Sequence, residues 1–251
     1  MINNKLKHDK EDALRHLLKQ IKEVLDKHGI EFWLDCGTLL GAVRHGIFIP
    51  WDDSDIDIDA FHEYFSDSVK LSIAKELFNS GYRVLLHQNK ITIIGDDASG
   101  DIYFYRLNGH EAIHLLPPTR SIDRWLRQFL CLLTAPQYYG VEITGSIWMR
   151  LRSRVMCSIT RAIPSWLRRR IYQMVDPIYQ RIRCNDVWWV VPGSYFQDLS
   201  RIRFYEMEFN VPAKVEEYLA YRYGEDWRIP NKNYVTLRDD GALIRGQNSQ
   251  I

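Results

Sequence analysis

From residue 9 to 28 the apolar positions recur at helical spacing. Ala13, Leu14, Leu17, Leu18, Ile21, Val24 and Leu25 share one face, and Lys, Glu and Asp fill the other. Gly29 follows, where a helix-terminating glycine belongs. "IEFWLD" then reads as a short strand, and "LLGAV" as one or two helical turns after Gly37 and Thr38. "GIFIP" returns to extended chain, because Pro50 biases Ile49 away from helix. "DIDIDAF" alternates strictly, the strand period. "SDSVKLSIAKELFNSGY" resumes helical spacing and ends at Gly81. "RVLLH", "ITIIG", "DIYFY" and "EAIHLL" read as short strands. Near the end, Pro212 fits the first position of a helix over "AKVEEYLAYRYG", which Gly224 stops.

These elements predict an α+β chain: a small mixed sheet with flanking helices, plus a mostly helical C-terminal lobe. Three parts are expected: a core over 1–118, an Arg-rich helical segment over 119–190, and a tail over 191–251 that packs back on the core. The middle segment stands out by charge. From Arg120 to Arg183 there are 12 Arg, no Lys and 3 acids. It is expected to be helical, interrupted at Pro136, Gly140, Gly145, Pro164 and Pro177. Either it is a solvated helical face, or "WLRRRIYQMV" marks peripheral contact with an anionic membrane, with Trp125, Trp148 and Trp166 dipping into the headgroups. Nucleic acid is not an expected partner, since no nucleic-acid motif is present.

The rest of the composition narrows the picture little. Hydrophobic residues make up 46% and charged residues 26% of 251, enough for a real core. The four cysteines, Cys36, Cys131, Cys157 and Cys184, lie far apart without zinc spacing, and are expected to be buried free thiols of a reducing compartment. The first 20 residues lack the apolar run of a signal peptide, and no stretch approaches a transmembrane span. A cytoplasmic protein, possible at the membrane only as a peripheral one, is expected.

Candidate chemistry lies in "DDSDIDID", where five aspartates occupy eight positions. Strand geometry puts Asp55 and Asp57 on one face and Ile56 and Ile58 on the other. Two carboxylates roughly 6–7 Å apart along a strand share a proton or a cation. A hard divalent ion, Mg²⁺ or Mn²⁺, suits them and completes its shell with substrate phosphate. Asp101 opens "DIYFY" on the face of Tyr103 and Tyr105 and is the expected third acid. Gly37 and Thr38 form a turn whose amides can cradle phosphate, and Arg44 is placed to clamp one. His45 is expected to be a structural hydrogen-bonder, and Asp59, at the strand's end, to be solvent-exposed.

The run "WLDCGTLLGAVRHGIFIPWDDSDIDI" closely resembles the signature of the LicD family, which includes the fukutin-related proteins. "FNVPAKVEEYLAYRYGEDWRIP" resembles the family's C-terminal element. The resemblance covers residues 31 to about 105 and again 190 to 232. It implies a nucleotidyltransferase-type fold and the transfer of a phospho-alcohol, phosphocholine or a polyol phosphate, from a CDP-activated donor to a sugar hydroxyl. The acceptor would be a glycan or lipid-linked glycan of cell-envelope assembly. It also implies Asp55 and Asp57 as the metal pair, Asp101 as third acid, and Gly37 and Thr38 as the donor-phosphate turn. Ser54 lengthens the family's usual acidic run by one residue, so Asp53 either caps the turn or reaches the metal. Two other readings share these residues: a catalytically silent scaffold of the same pathway, and a nucleotidyltransferase acting on a small molecule.

Overall fold

The computed structural model describes residues 2–51, 55–87, 89–115, 126, 129–130, 133, 158–182 and 187–245. The first amphipathic stretch forms helix α1 (Ile2–Lys27), longer than its apolar period. Leu17, Leu18, Ile21 and Leu25 are fully buried on the sheet, and Gly29 at φ +65° turns the chain away. There follow β1 (Phe32–Leu34), α2 (Cys36–His45), β2 (Ile56–Phe61) and α3 (Asp67–Asn79). Four strands come next: β3 (Arg83–Leu86), β4 (Lys90–Ile94), β5 (Ser99–Asn108) and β6 (Glu111–Leu115). Helix α4 (Ser165–Ile182) keeps Pro177 inside it rather than breaking there.

The C-terminal part holds β7 (Val187–Pro192), β8 (Leu199–Phe204), β9 (Met207–Pro212), α5 (Val215–Tyr223), the single turn Thr236–Asp239 and β10 (Leu243–Arg245). All ten strands join one mixed sheet, ordered β10-β7-β6-β5-β2-β1-β9-β8, with β4 and then β3 branching from β5. β2 runs parallel to β5 and antiparallel to β1, and β1 runs parallel to β9. Flanking helices and a mixed sheet confirm the α+β class.

Two details differ from expectation. The boundary drawn at 190/191 falls inside β7, a strand paired on both sides with β6 and β10. Its apolar run "VWWVVP" is a short strand signal directly after the Arg-rich stretch. Pro212 ends β9, paired with Leu199, instead of opening α5. A strand end tolerates the missing N–H as readily as a helix start does. Most of 119–157 lies outside the described residues, as do Trp125, Trp148, Cys131, Cys157 and Cys184.

One core spans both ends of the chain. Ile21, Ile58 and Ile102 pack with Phe209, Val211, Tyr218 and Trp227. The isoleucines of the aspartate run are fully buried, as their alternation required. Among the described residues, no helix is long and apolar enough to cross a membrane.

Candidate active site

Helix α2 is held at its first turn by a buried network. Asp35, directly after β1, accepts the Cys36 N–H at 2.7 Å. Both of its oxygens also accept from the Tyr218 hydroxyl at 2.8 Å, and Oδ2 from Arg222 Nη1 at 2.9 Å. Arg222 reaches on to Asp240 through Nη2 at 2.5 Å. All four side chains are buried. Burial alone would raise Asp35; the Arg222 charge and the Cys36 and Tyr218 donors more than offset it, so its carboxyl sits below the usual range. Gly41, the second glycine of the motif, lets α2 approach the following chain. A Cβ there would lie 2.7 Å from the Ile47 carbonyl oxygen.

The same turn is tied to β2. The Gly37 N–H donates to Asp57 Oδ2 at 3.3 Å, and the Asp57 N–H donates to Thr38 Oγ1 at 2.9 Å. Thr38 is buried, its hydroxyl spent on the strand. This departs from the expected donor-phosphate turn. Gly37 and Thr38 lie within α2, and here they position Asp57; Gly37 also lines the cleft described below.

Asp57 and Asp101 are register partners on the parallel strands β2 and β5, which places both on one face of the sheet. Asp55 precedes β2, is exposed, and accepts from the Ser99 hydroxyl. Burial, then the charges of Asp101, Asp35 and Asp55, push the Asp57 pKa well above the carboxylate range. Asp101 is already engaged: Lys90 Nζ lies at 2.6 Å, Thr92 Oγ1 at 2.5 Å and the Tyr103 hydroxyl at 3.0 Å. Among the described residues no three Asp, Glu, His or Cys side chains form a ready cation cage. Asp52 and Asp53 lie outside the described residues.

Asp59 corrects an expectation. It is fully buried, and its oxygens meet no donor among the described residues. Burial and the neighbouring Asp35 raise its pKa well above the usual range, so it is held as a neutral carboxyl facing Asp35. Strand position alone suggested solvent; β1 and the C-terminal element cover that end of β2.

A cleft of about 830 Å³ opens beside these acids. Asp55, Asp57 and Tyr103 line it together with Arg44, Trp51, Trp227, Lys232 and Tyr234. Its volume falls within the roughly 300–1,000 Å³ of small-molecule sites. Arg44 Nη1 donates to the Trp227 carbonyl at 3.1 Å and Nε to His45 Nε2 at 2.9 Å. His45 is thus a structural hydrogen-bonder, and desolvation followed by the Arg44 charge lowers its pKa. Two cations approach the Trp51 ring, Arg44 at 5.7 Å and Lys232 at 5.6 Å from its centroid.

Sequence reasoning missed Asp35, Lys90, Tyr218, Arg222 and Asp240. Arg222 sits 187 positions from Asp35, so nothing local announces the pair. A lone arginine inside the tyrosine-rich face of "YLAYRYG" was the one available signal.

Among known proteins, the chain is 33% identical over 134 residues to an uncharacterised protein of Rickettsia typhi, covering 53% of this chain and 41% of that protein. It is 45% identical over 51 residues to the ribitol 5-phosphate transferase FKRP of Homo sapiens, 20% of this chain and 10% of FKRP. The chain thus spans less than half the length of these relatives. The solution structure of the antibiotic-resistance factor ANT(2'')-Ia aligns over 68% of this chain and 97% of its own, at 14% identity and a TM-score of 0.33. Nothing about this chain's chemistry follows from so distant a likeness. The profile of the LicD/FKTN/FKRP nucleotidyltransferase domain matches residues 29–121, which hold α2, the aspartate strand and Asp101. Over these residues the chain is similar to the nucleotidyltransferase domain of the LicD/FKTN/FKRP family.

Proposed function

We propose that this protein transfers a phospho-alcohol from a CDP-activated donor to a sugar hydroxyl of a glycan or lipid-linked glycan. The observation that carries the reading is the cleft in which Asp55 and Asp57 stand beside Asp101 under walls of Trp and cation. FKRP, which matches the chain over 51 residues, is named a ribitol 5-phosphate transferase, and that name supports the phospho-alcohol class.

In this reading Asp55 and Asp57 hold Mg²⁺ or Mn²⁺, and Asp101 flanks them as third acid, its charge countered by Lys90. Bound there, the ion would neutralise charge on the donor diphosphate. The acceptor oxygen forms a bond to phosphorus, the bond from phosphorus to CMP breaks, and one proton is released. Arg44 and Lys232 bring positive charge to the phosphates, and Trp51 and Trp227 offer flat faces to the base. Gly37 and Thr38 fix Asp57 by their hydrogen bonds to it.

The test is release of CMP from CDP-ribitol, CDP-glycerol and CDP-choline with Mg²⁺. At least one donor is expected to turn over, and Asp57→Asn to lower the rate roughly 100-fold or more without lowering the melting temperature. Full activity in that variant overturns the site. Donor binding without turnover in the wild type returns the chain to a silent scaffold.

A further inference from the structure

A second cavity, of about 1,100 Å³, shares no lining residue with the catalytic cleft. His62 on its wall directly follows β2, whereas Asp55 directly precedes that strand, and the strand between them is about 20 Å long. Three elements converge on this cavity: the first turns of α3, the far end of β5 and helix α4.

Its lining is cationic. Lys70, Arg106, Arg168, Arg169 and Arg170 stand against two acids, Asp67 and Asp176, a net of +3 with the histidines neutral. Asp67 is paired with Lys70 at 3.5 Å. Arg106 donates through Nη2 to His62 Nε2 at 2.9 Å, a neutral ring nitrogen in place of a carboxylate. Burial, then the Arg106 and Lys70 charges, lower the His62 pKa. Arg168 has two nitrogens, Nε and Nη1, that are withdrawn from water and meet no acceptor among the described residues. A guanidinium so placed lacks the counter-charge that a desolvated cation needs.

Charge and lining together select the ligand. A phosphate monoester carries about −1.5 to −2 near neutral pH, and a second phosphate adds roughly one more, which matches the cavity's excess. Guanidinium suits phosphate because its planar fork donates to two oxygens at once. Beside the cations stand Phe65, Leu71, Leu133 and the 65% exposed ring of Trp166, which suit a flat or apolar body and not bare phosphate. We propose that this cavity binds a small diphosphate ester, its diphosphate among the arginines and its body against Trp166 and the apolar wall. The site stands independently of the transfer reaction.

The test is isothermal titration calorimetry with the full chain in EDTA at low salt, using inorganic pyrophosphate, sulfate, ADP and geranyl diphosphate. At least one ester should bind once per chain, more tightly than pyrophosphate or sulfate, and salt should weaken it. The tighter ester tells whether the body is a base or an apolar chain. R106Q and R168Q should each weaken binding by about tenfold or more. Arg106 is exposed, so R106Q should leave circular dichroism unchanged. Binding should change tryptophan fluorescence, and W166F should remove that change. R44Q/K232Q, in the catalytic cleft, should bind as the wild type does. Binding lost in R44Q/K232Q and kept in R106Q overturns the proposal, because it puts the ligand in the catalytic cleft. So does pyrophosphate or sulfate binding as tightly as both esters, undiminished affinity in R106Q and R168Q, or no binding at all.

Discussion

Replacing Arg222 by Met tests how the C-terminal element supports the site. The guanidinium bridges Asp35 and Asp240, and its side chain is 1% exposed against 0% and 2% for its partners. Methionine keeps much of the volume but leaves two carboxylates buried without their cation. Breaking such a pair costs about 3–5 kcal/mol, because the orphaned charges stay desolvated. For a domain stable by about 5–15 kcal/mol that is a large share. At roughly 2–4 °C per kcal/mol for a chain of this size, melting should fall by about 6–20 °C. The assay is urea denaturation followed by circular dichroism. The informative control is R222M/D35N/D240N, which removes the orphaned charges as well. If uncompensated charge is the cause, the triple variant regains most of the loss. A single-variant cost below about 1 kcal/mol, or a triple variant no better than the single, refutes the reasoning. The network also holds Asp35 as the cap of α2, and Gly37 of that turn holds Asp57. Donor turnover in R222M should therefore fall even where the protein remains folded.

Two further outcomes follow from the same strands. Asp59 has a folded pKa raised above its ordinary 3.8, so the stability it contributes is full below pH 3.8 and is lost as pH rises towards the folded value. Asp59→Asn, a neutral isostere, should gain stability relative to wild type between pH 4 and pH 7, and denaturation curves showing no pH-dependent gain would refute a neutral buried carboxyl. Gly41→Ala drives a methyl against the Ile47 carbonyl, and should cost about 1–3 kcal/mol with a matching loss of donor turnover; wild-type stability would show that α2 can move aside.

The aspartate strand was legible because its pattern is local and double. Alternation fixed which residues face the core, and Ile56, Ile58 and Ile102 are fully buried as that period demands. The same alternation put Asp57 and Asp101 on one side of the sheet before their register was known. Helices α1, α3 and α5 were likewise written in apolar spacing. What the sequence left open is what lies across the fold. That Asp59 is covered depends on Asp35 and α5, contributed from distant parts of the chain. That Thr38 serves β2 depends on how closely α2 approaches it. That Asp101 meets Lys90 depends on the pairing of β4 with β5. Periodicity records which face of an element is apolar; it holds no information on which other element will cover that face. The burial of a charge, and hence its protonation and partner, is decided only when the sheet closes with both ends of the chain in one core.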